Sequence, residues 1–141
     1  MFTGSHQLTV DDKGRLAIPA RVRQQLNEQH GPQIFLTRGP DASIEIYPAA
    51  TFQALAEQIQ NLPDRKAAEL LKKIFIGHAT DTEIDKQGRV LLPAVLREHA
   101  RIKTDVRLVG QITRIDVWAE ETWVGEGQVE GVADAFALLK R

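Results

Sequence analysis

The sequence predicts an α+β fold in which two pseudo-symmetric halves, with flanking helices, enclose one shared core. Three observations lead there. Residues 10 to 26 read VDDKGRLAIPARVRQQL, and residues 84 to 100 read IDKQGRVLLPAVLREHA. At a constant offset of 74, Asp11, Gly14, Arg15, Pro19 and Arg23 are matched by Asp85, Gly88, Arg89, Pro93 and Arg97. The echo continues where IEIYPAATF (44 to 52) is answered by IDVWAEETW (115 to 123), three residues closer together. Finally, halves of about seventy residues are marginal on their own, so two similar units are expected to bury a common core.

In the first half, Leu8 and Val10 alternate before a break, and Leu16 and Ile18 alternate after it. The two short strands are expected to pair as a hairpin around Asp11-Asp12-Lys13-Gly14. There Gly14 is free to take positive φ, and the Asp side chains can bond the turn backbone. Pro19 stands where a helix can start without losing a needed hydrogen bond. Val22 and Leu26 then face inward, and His30-Gly31-Pro32 ends the helix. Two more strands follow over 34 to 36 and 44 to 47, joined around Gly39-Pro40-Asp41.

Thr51 is placed to cap a helix carrying Phe52, Leu55, Ile59 and Leu62 as an apolar stripe. Pro63-Asp64 opens another, with Ala67, Leu70, Leu71, Ile74 and Phe75 on one side. The second half repeats the order of the first: a strand over 82 to 84, a turn, a strand over 90 to 92, then Pro93 and a helix. Strands over 106 to 109 and 115 to 118 complete it. The domain boundaries read as 1–53 for the first half, 54–76 for a helical insert, 77–123 for the second half and 124–141 for an acidic tail. In the tail GEGQVEG loses periodicity, and VADAFALLKR reads as a short helix or a loose end.

Composition narrows the function. The net charge of −1 provides no global basic field for a polyanion. Its distribution is uneven, at +2 over residues 1 to 26 and −5 over residues 119 to 139. The absence of cysteine excludes disulfides, thiol nucleophiles and cysteine-ligated metal. Ser5 and Ser43 sit in no nucleophile elbow, and no glycine-rich loop ends in Lys-Ser or Lys-Thr. His6, His30, His78 and His99 lack metal-ligand spacing, and His78 reads as a hydrogen-bonded residue at a helix-to-strand junction. A hydrolase built on the repeated Asp/Arg pair would need a pocket and a nucleophile, which the sequence does not offer. Neither an enzyme nor a cofactor is expected. No apolar run approaches the roughly 18 residues of a membrane span. MFTGSHQLTVDD lacks a basic region followed by an apolar stretch, so it does not read as a signal peptide. A soluble cytoplasmic protein with no membrane role is expected.

The chemistry-bearing phrase is Asp-x-x-Gly-Arg. It sets Arg15 and Arg89 just past tight turns, where a planar guanidinium matches phosphate or the O6/N7 edge of guanine. Asp11 and Asp85, four residues earlier, can fix the direction of those arginines, and Gly14 and Gly88 shape the turns. A single copy is also readable as an ordinary hairpin with a solvated arginine. Two copies shift the balance, because turn geometry preserves Asp and Gly but does not demand Arg. Lys13 and Lys86 add cations in the same loops at non-equivalent positions. Arg23 and Arg97, early on the two helices, are candidates for backbone phosphate, or else simply exposed helix arginines. The few aromatics (Phe35, Tyr47, Phe52, Trp118, Trp123) argue against a stacking platform for single strands.

With these residues in hand, the chain closely resembles the MraZ family of bacterial transcriptional regulators. The resemblance covers residues 1 to about 123 and rests on MFTG, DDKGRLAIPARVR, IGHATDTEIDKQGRVLLPAVLREHA and LVGQITRIDVWAEETW. It implies two AbrB-like swapped-hairpin halves forming one small β-barrel. It also implies ring-shaped homo-oligomers that bind double-stranded DNA, at G-rich direct repeats in the promoter of a division and cell-wall gene cluster. The arginines of the D-x-x-x-R motifs, Arg15 and Arg89, would then face the DNA and place the protein at the nucleoid. An antitoxin-like protein-interaction module acting through the tail after Trp123 is the second reading.

Overall fold

The computed structural model describes residues 1–123 and 129–141 of the chain. Along them run β1 (Ser5–Thr9), β2 (Arg15–Ala17), α1 (Ala20–His30), β3 (Gln33–Arg38), β4 (Ser43–Pro48) and α2 (Ala49–Gln60). Then come α3 (Arg65–Leu71), continued by a π-helical turn at Lys72–Ile76, β5 (Thr80–Glu83) and β6 (Arg89–Leu91). The order ends with α4 (Ala94–His99), β7 (Asp105–Gly110), β8 (Ile115–Ala119) and α5 (Val132–Ala137). The acidic GEGQVEG stretch lies outside the described residues between positions 125 and 128.

Six strands form an antiparallel sheet in the order β1-β7-β8-β4-β3-β5, while β2 and β6 form a separate two-stranded ribbon. The α+β class agrees with the expectation, but the small closed barrel does not. The six strands stand in an open row with β1 and β5 at its ends. The strands that would continue that row, β2 and β6, pair with each other instead.

The row reads the same from either end once each strand is exchanged for its counterpart in the other half. β1 pairs with β7 and β5 with β3, while β4 pairs with β8 and β2 with β6, each with its own counterpart. The hairpin expected between Leu8-Val10 and Leu16-Ile18 is therefore absent as a ladder. Leu8 lies opposite Val106, and a single bridge between Val10 and Leu16 is all that joins the two segments. Alternation decides which face of a strand is buried but not which strand lies beside it.

One face of the sheet carries the core. Ile34, Leu36, Ile44, Ile46, Val106, Leu108, Ile115 and Val117 pack there against Leu16 and Val90 of the ribbon and Leu26 and Leu96 of α1 and α4. Each is 2% exposed or less. Both halves contribute to this single cluster. On the opposite face Phe35 stacks on Phe52 at 4.3 Å, and Phe75 meets Tyr47 edge-on at 5.8 Å, so α2 and the π turn cover β3 and β4. Buried Thr37 donates its hydroxyl to the Phe75 carbonyl at 2.6 Å, satisfying a backbone acceptor in that turn.

Three helices start directly after a proline in extended conformation: α1 after Pro19, α2 after Pro48 and α4 after Pro93. Thr51 consequently falls inside the first turn of α2 and caps nothing. Asp64 does cap α3, accepting the Ala67 N–H at 3.0 Å. The stripe expected on α3 is broken. Ala68 is buried, whereas Leu70 and Leu71, in the same α-helical segment, are exposed.

Candidate nucleic-acid interface

The two repeated turns have the same construction. Asp11 Oδ1 accepts the backbone N–H of Lys13 and of Arg15, both at 2.9 Å, and Oδ2 accepts the Arg15 Nε–H at 2.7 Å. Asp85 accepts from Gln87 and Arg89 backbone at 2.9 Å each, and from Arg89 Nε at 3.2 Å. The third position of each turn contributes only its N–H, which is why Lys13 and Gln87 are interchangeable in shape. Gly14 and Gly88 close the turns at φ 82°, a left-handed conformation that favours glycine.

Each aspartate thus holds its arginine through Nε, and the turns make no bond to the terminal guanidinium nitrogens of Arg15 or Arg89. The Arg15 N–H, followed by its side chain and the Lys13 N–H, keeps Asp11 below the ordinary carboxylate range. The Arg89 N–H, followed by the Gln87 N–H and the Arg89 side chain, does the same for Asp85. A lowered carboxylate pKa contributes stability above the unfolded value, about 3.9, and loses it as pH falls through the folded value. The aimed arginines are therefore expected to persist through neutral and mildly acid conditions. In a pH titration followed by nitrogen NMR, the Arg15 and Arg89 Nε–H signals should shift only below about pH 4. A transition near neutrality would contradict this hold.

The ribbon sets the two turns side by side. Arg15 pairs with Leu91, Leu16 with Val90 and Ala17 with Arg89. Bonds from Ile18 N–H to the Gly88 carbonyl and from Leu92 N–H to the Gly14 carbonyl, each 2.9 Å, tie each strand to the opposite turn. Alternation sends Leu16 and Val90 into the core, leaving Arg15, Ala17, Arg89 and Leu91 on the outer face. The two arginines are diagonal neighbours, with a spacing of about 7–8 Å. Their side chains are 30% and 29% exposed. Lys13 and Lys86 stand exposed in the turns beside them.

Arg23 and Arg97 lie elsewhere, each against the turn of the opposite half. A Cβ on Gly14 would come within 2.9 Å of Arg97 Cζ, and one on Gly88 within 2.0 Å of Arg23 Nη1. Arg97 Nε also donates to the Leu92 carbonyl at 3.0 Å, while Arg23 Nε is enclosed without a hydrogen bond. Each turn is braced by a helix from the other half. Gly88→Ala should therefore cost about 1–2 kcal/mol from its left-handed φ alone, and it should also displace Arg23. A thermal midpoint lower by about 3–8 °C in a calorimetric melt is the expected result, and an unchanged midpoint would contradict it.

Sequence reasoning missed the outward placement of Ala17 and Leu91, although the alternation about Arg15 and Arg89 carries that signal. It missed the crossed bracing as well. The repetition of Arg23 as Arg97 hinted at a shared role, but only the exchanged strand pairing reveals what each one touches. His78 lies at the expected junction, its Nδ1–H donating to the Ile74 carbonyl at 2.8 Å. Among the described residues no group of three or more His, Asp and Glu side chains could hold a metal ion.

These features define a class: a protein duplicated within one chain, sharing one core and displaying a paired-arginine β-ribbon. Over residues 1–74 and again over 75–126 the chain matches the family described as "MraZ protein, putative antitoxin-like". A "Transcriptional regulator MraZ" of Legionella pneumophila (strain Corby) is 42% identical over 125 residues, covering 87% of this chain and 82% of that protein. One of the same name from Marinomonas sp. (strain MWYL1) is 38% identical over 140 residues, covering 98% and 91%. A third, from Lachnoclostridium phytofermentans, is 38% identical over 123 residues, covering 87% and 84%. The chain belongs to the MraZ family. No helix among its described residues is long and apolar enough to cross a membrane.

Proposed function

We propose that this protein is a transcriptional regulator that reads double-stranded DNA with its β2–β6 ribbon. The observation that carries the reading is the pair of arginines, each held outward by its own aspartate on a two-stranded ribbon. The major groove, about 12 Å wide, admits such a ribbon, and a guanidinium meets guanine O6 and N7 through two nitrogens. Arg15 and Arg89 therefore contact guanines in G-rich direct repeats, and Leu91 and Ala17 are available to thymine methyls. Lys13 and Lys86 meet phosphate, which fixes position without reading sequence. Arg23 and Arg97 brace the turns and come next in line to the phosphates. The name shared by the relatives supports a regulatory role.

Two arginines on a chain of net charge −1 make a weak binder. Several protomers in a ring would present successive ribbons to successive repeats, and avidity then adds a factor of roughly 10² to 10⁴. The swapped-hairpin halves at 1–53 and 77–123, with the insert at 54–76, form the DNA-reading body, and the tail at 124–141 faces away. The target is the promoter of a division and cell-wall gene cluster, which places the protein in the cytoplasm at the nucleoid. Fluorescence anisotropy on duplexes carrying one, two or four repeats of the protein's own upstream region, across a salt series, tests the proposal. Affinity should climb steeply with repeat number and fall with salt. Equal affinity for repeats and a scrambled duplex would overturn it. In that case a protein partner of the tail, the antitoxin-like reading, becomes the better account.

A further inference from the structure

The β2–β6 ribbon is built on a pseudo-twofold axis between Leu16 and Val90, yet the two ends that the axis relates differ chemically. Leu91 lies opposite Arg15 and Ala17 opposite Arg89, so each arginine has a different cross-strand neighbour on the outer face. Directly opposed side chains stand about 4.5–5.5 Å apart at Cβ. Arg15 therefore has at its side a leucine that is 55% exposed, whereas Arg89 has only the methyl of an alanine. A lone exposed leucine needs no explanation, but this one stands on the face that carries the arginines.

The segments around each end widen the difference. The bond from Leu92 N–H to the Gly14 carbonyl seats the start of α4 beside the first turn. The bond from Ile18 N–H to the Gly88 carbonyl seats the start of α1 beside the second. Val95, 56% exposed on α4, thus joins the Arg15 end, and its counterpart Arg21, also exposed, joins the Arg89 end. Asp11 and Asp85 are committed to their arginines. The remaining charges of the first turn, Asp12 and Lys13, offset each other, while their counterparts in the second are Lys86 and the neutral Gln87. One end is apolar and balanced; the other adds two exposed cations, Lys86 and Arg21.

We propose that the ribbon is directional. Its Arg15 end reads a guanine together with the 5-methyl group of a neighbouring thymine, through Leu91 and Val95. Its Arg89 end combines a guanine contact with a grip on backbone phosphate by Lys86 and Arg21. The inference rests on the DNA-reading function proposed above and states which way round the protein lies on its site. In the major groove an apolar side chain recognises thymine by its methyl, whereas a phosphate contact carries no sequence. A truly twofold ribbon would accept a site in either orientation. Here reversal sets Arg21 and Lys86 over the methyl and Leu91 against phosphate, which desolvates charge without pairing it.

Anisotropy on a duplex carrying one repeat of the protein's own upstream region, with each thymine replaced in turn by deoxyuridine, removes one methyl at a time. One replacement should weaken the wild type about fourfold, as for one buried methylene-sized group. Leu91→Ala should bind the thymine and deoxyuridine duplexes alike. Arg21→Ala should keep the methyl effect and flatten the salt dependence by about one unit of slope. Direction is read separately. The chain has no cysteine, so Gln87→Cys carrying an iron chelate releases hydroxyl radicals at the Arg89 end alone. Gln87 serves its turn through its backbone N–H, which the label leaves in place. Strand cleavage should fall on one side of the guanines, and on both sides once Leu91→Ala/Val95→Arg makes the ends alike. Two-sided cleavage without those changes, or indifference of the wild type to every thymine methyl, overturns the direction while selective binding stands. Equal affinity for the repeat and a scrambled duplex overturns the DNA-reading function itself.

Discussion

Arg15→Ala/Arg89→Ala should abolish selective DNA binding while leaving the fold intact. Both side chains stand on the outer face of the ribbon, and their removal opens no cavity in the core. Each bidentate guanine contact is worth about 1–3 kcal/mol, or about 5- to 150-fold in affinity per arginine. A protomer loses two of them, and an assembly engaging several repeats loses them at each. Residual binding should be weak, salt-sensitive and indifferent to sequence, as phosphate attraction alone would give. Lys13→Ala or Lys86→Ala should behave differently, flattening the salt dependence by about one unit of slope while preserving the preference for repeats. Asp11→Asn/Asp85→Asn separates aim from charge. Asparagine can still accept the turn N–H groups but cannot hold the guanidinium ionically, so selectivity should fall with both arginines present. Anisotropy against repeat and scrambled duplexes distinguishes the three cases. Full selectivity in the double arginine variant would remove the ribbon as the reading element.

Local chemistry was legible in the sequence where the physics is local. Pro19 and Pro93 announce α1 and α4, Asp64 caps α3, and Asp-x-x-Gly specifies two turns with the bonds that close them. The inward set Leu16, Val22, Leu26 and Val90 follows from alternation and helical period. Pairing was not legible, because Leu8 and Val10 present the same apolar face whether they lie beside β2 or β7. The barrel expectation came from the family resemblance and not from the local pattern, and the row stays open because β2 and β6 pair apart from it. Leu70 and Leu71 were misplaced because an apolar pattern gives the period of a helix but not which of its faces finds a partner. The site stands between these cases: Asp11 and Arg15 lie four residues apart, whereas Arg97 reaches Gly14 only through the exchange of partners between halves.

Leu16→Ala is expected to show that exchange energetically. Leu16 is fully buried, lies opposite Val90 on the inner face of the ribbon, and belongs to a cluster drawn from both halves. Deleting three carbons there should cost about 2–5 kcal/mol, a large share of the roughly 5–15 kcal/mol that stabilises a domain. The informative quantity is where the loss appears. Trp118 lies on β8, in the second half of the chain, with Trp123 packed against it at 6.1 Å. If one core serves both halves, denaturant unfolding of Leu16→Ala should shift tryptophan fluorescence and far-ultraviolet circular dichroism to the same lower midpoint. A fluorescence midpoint that stays at the wild-type value would mean that the second half holds without the first. The ribbon makes this outcome inconsistent with the fold, since β6 has only β2 as a partner and β1 and β7 complete each other across the halves. The same support lies under the arginines, so DNA selectivity should fail in step with folding and not before it.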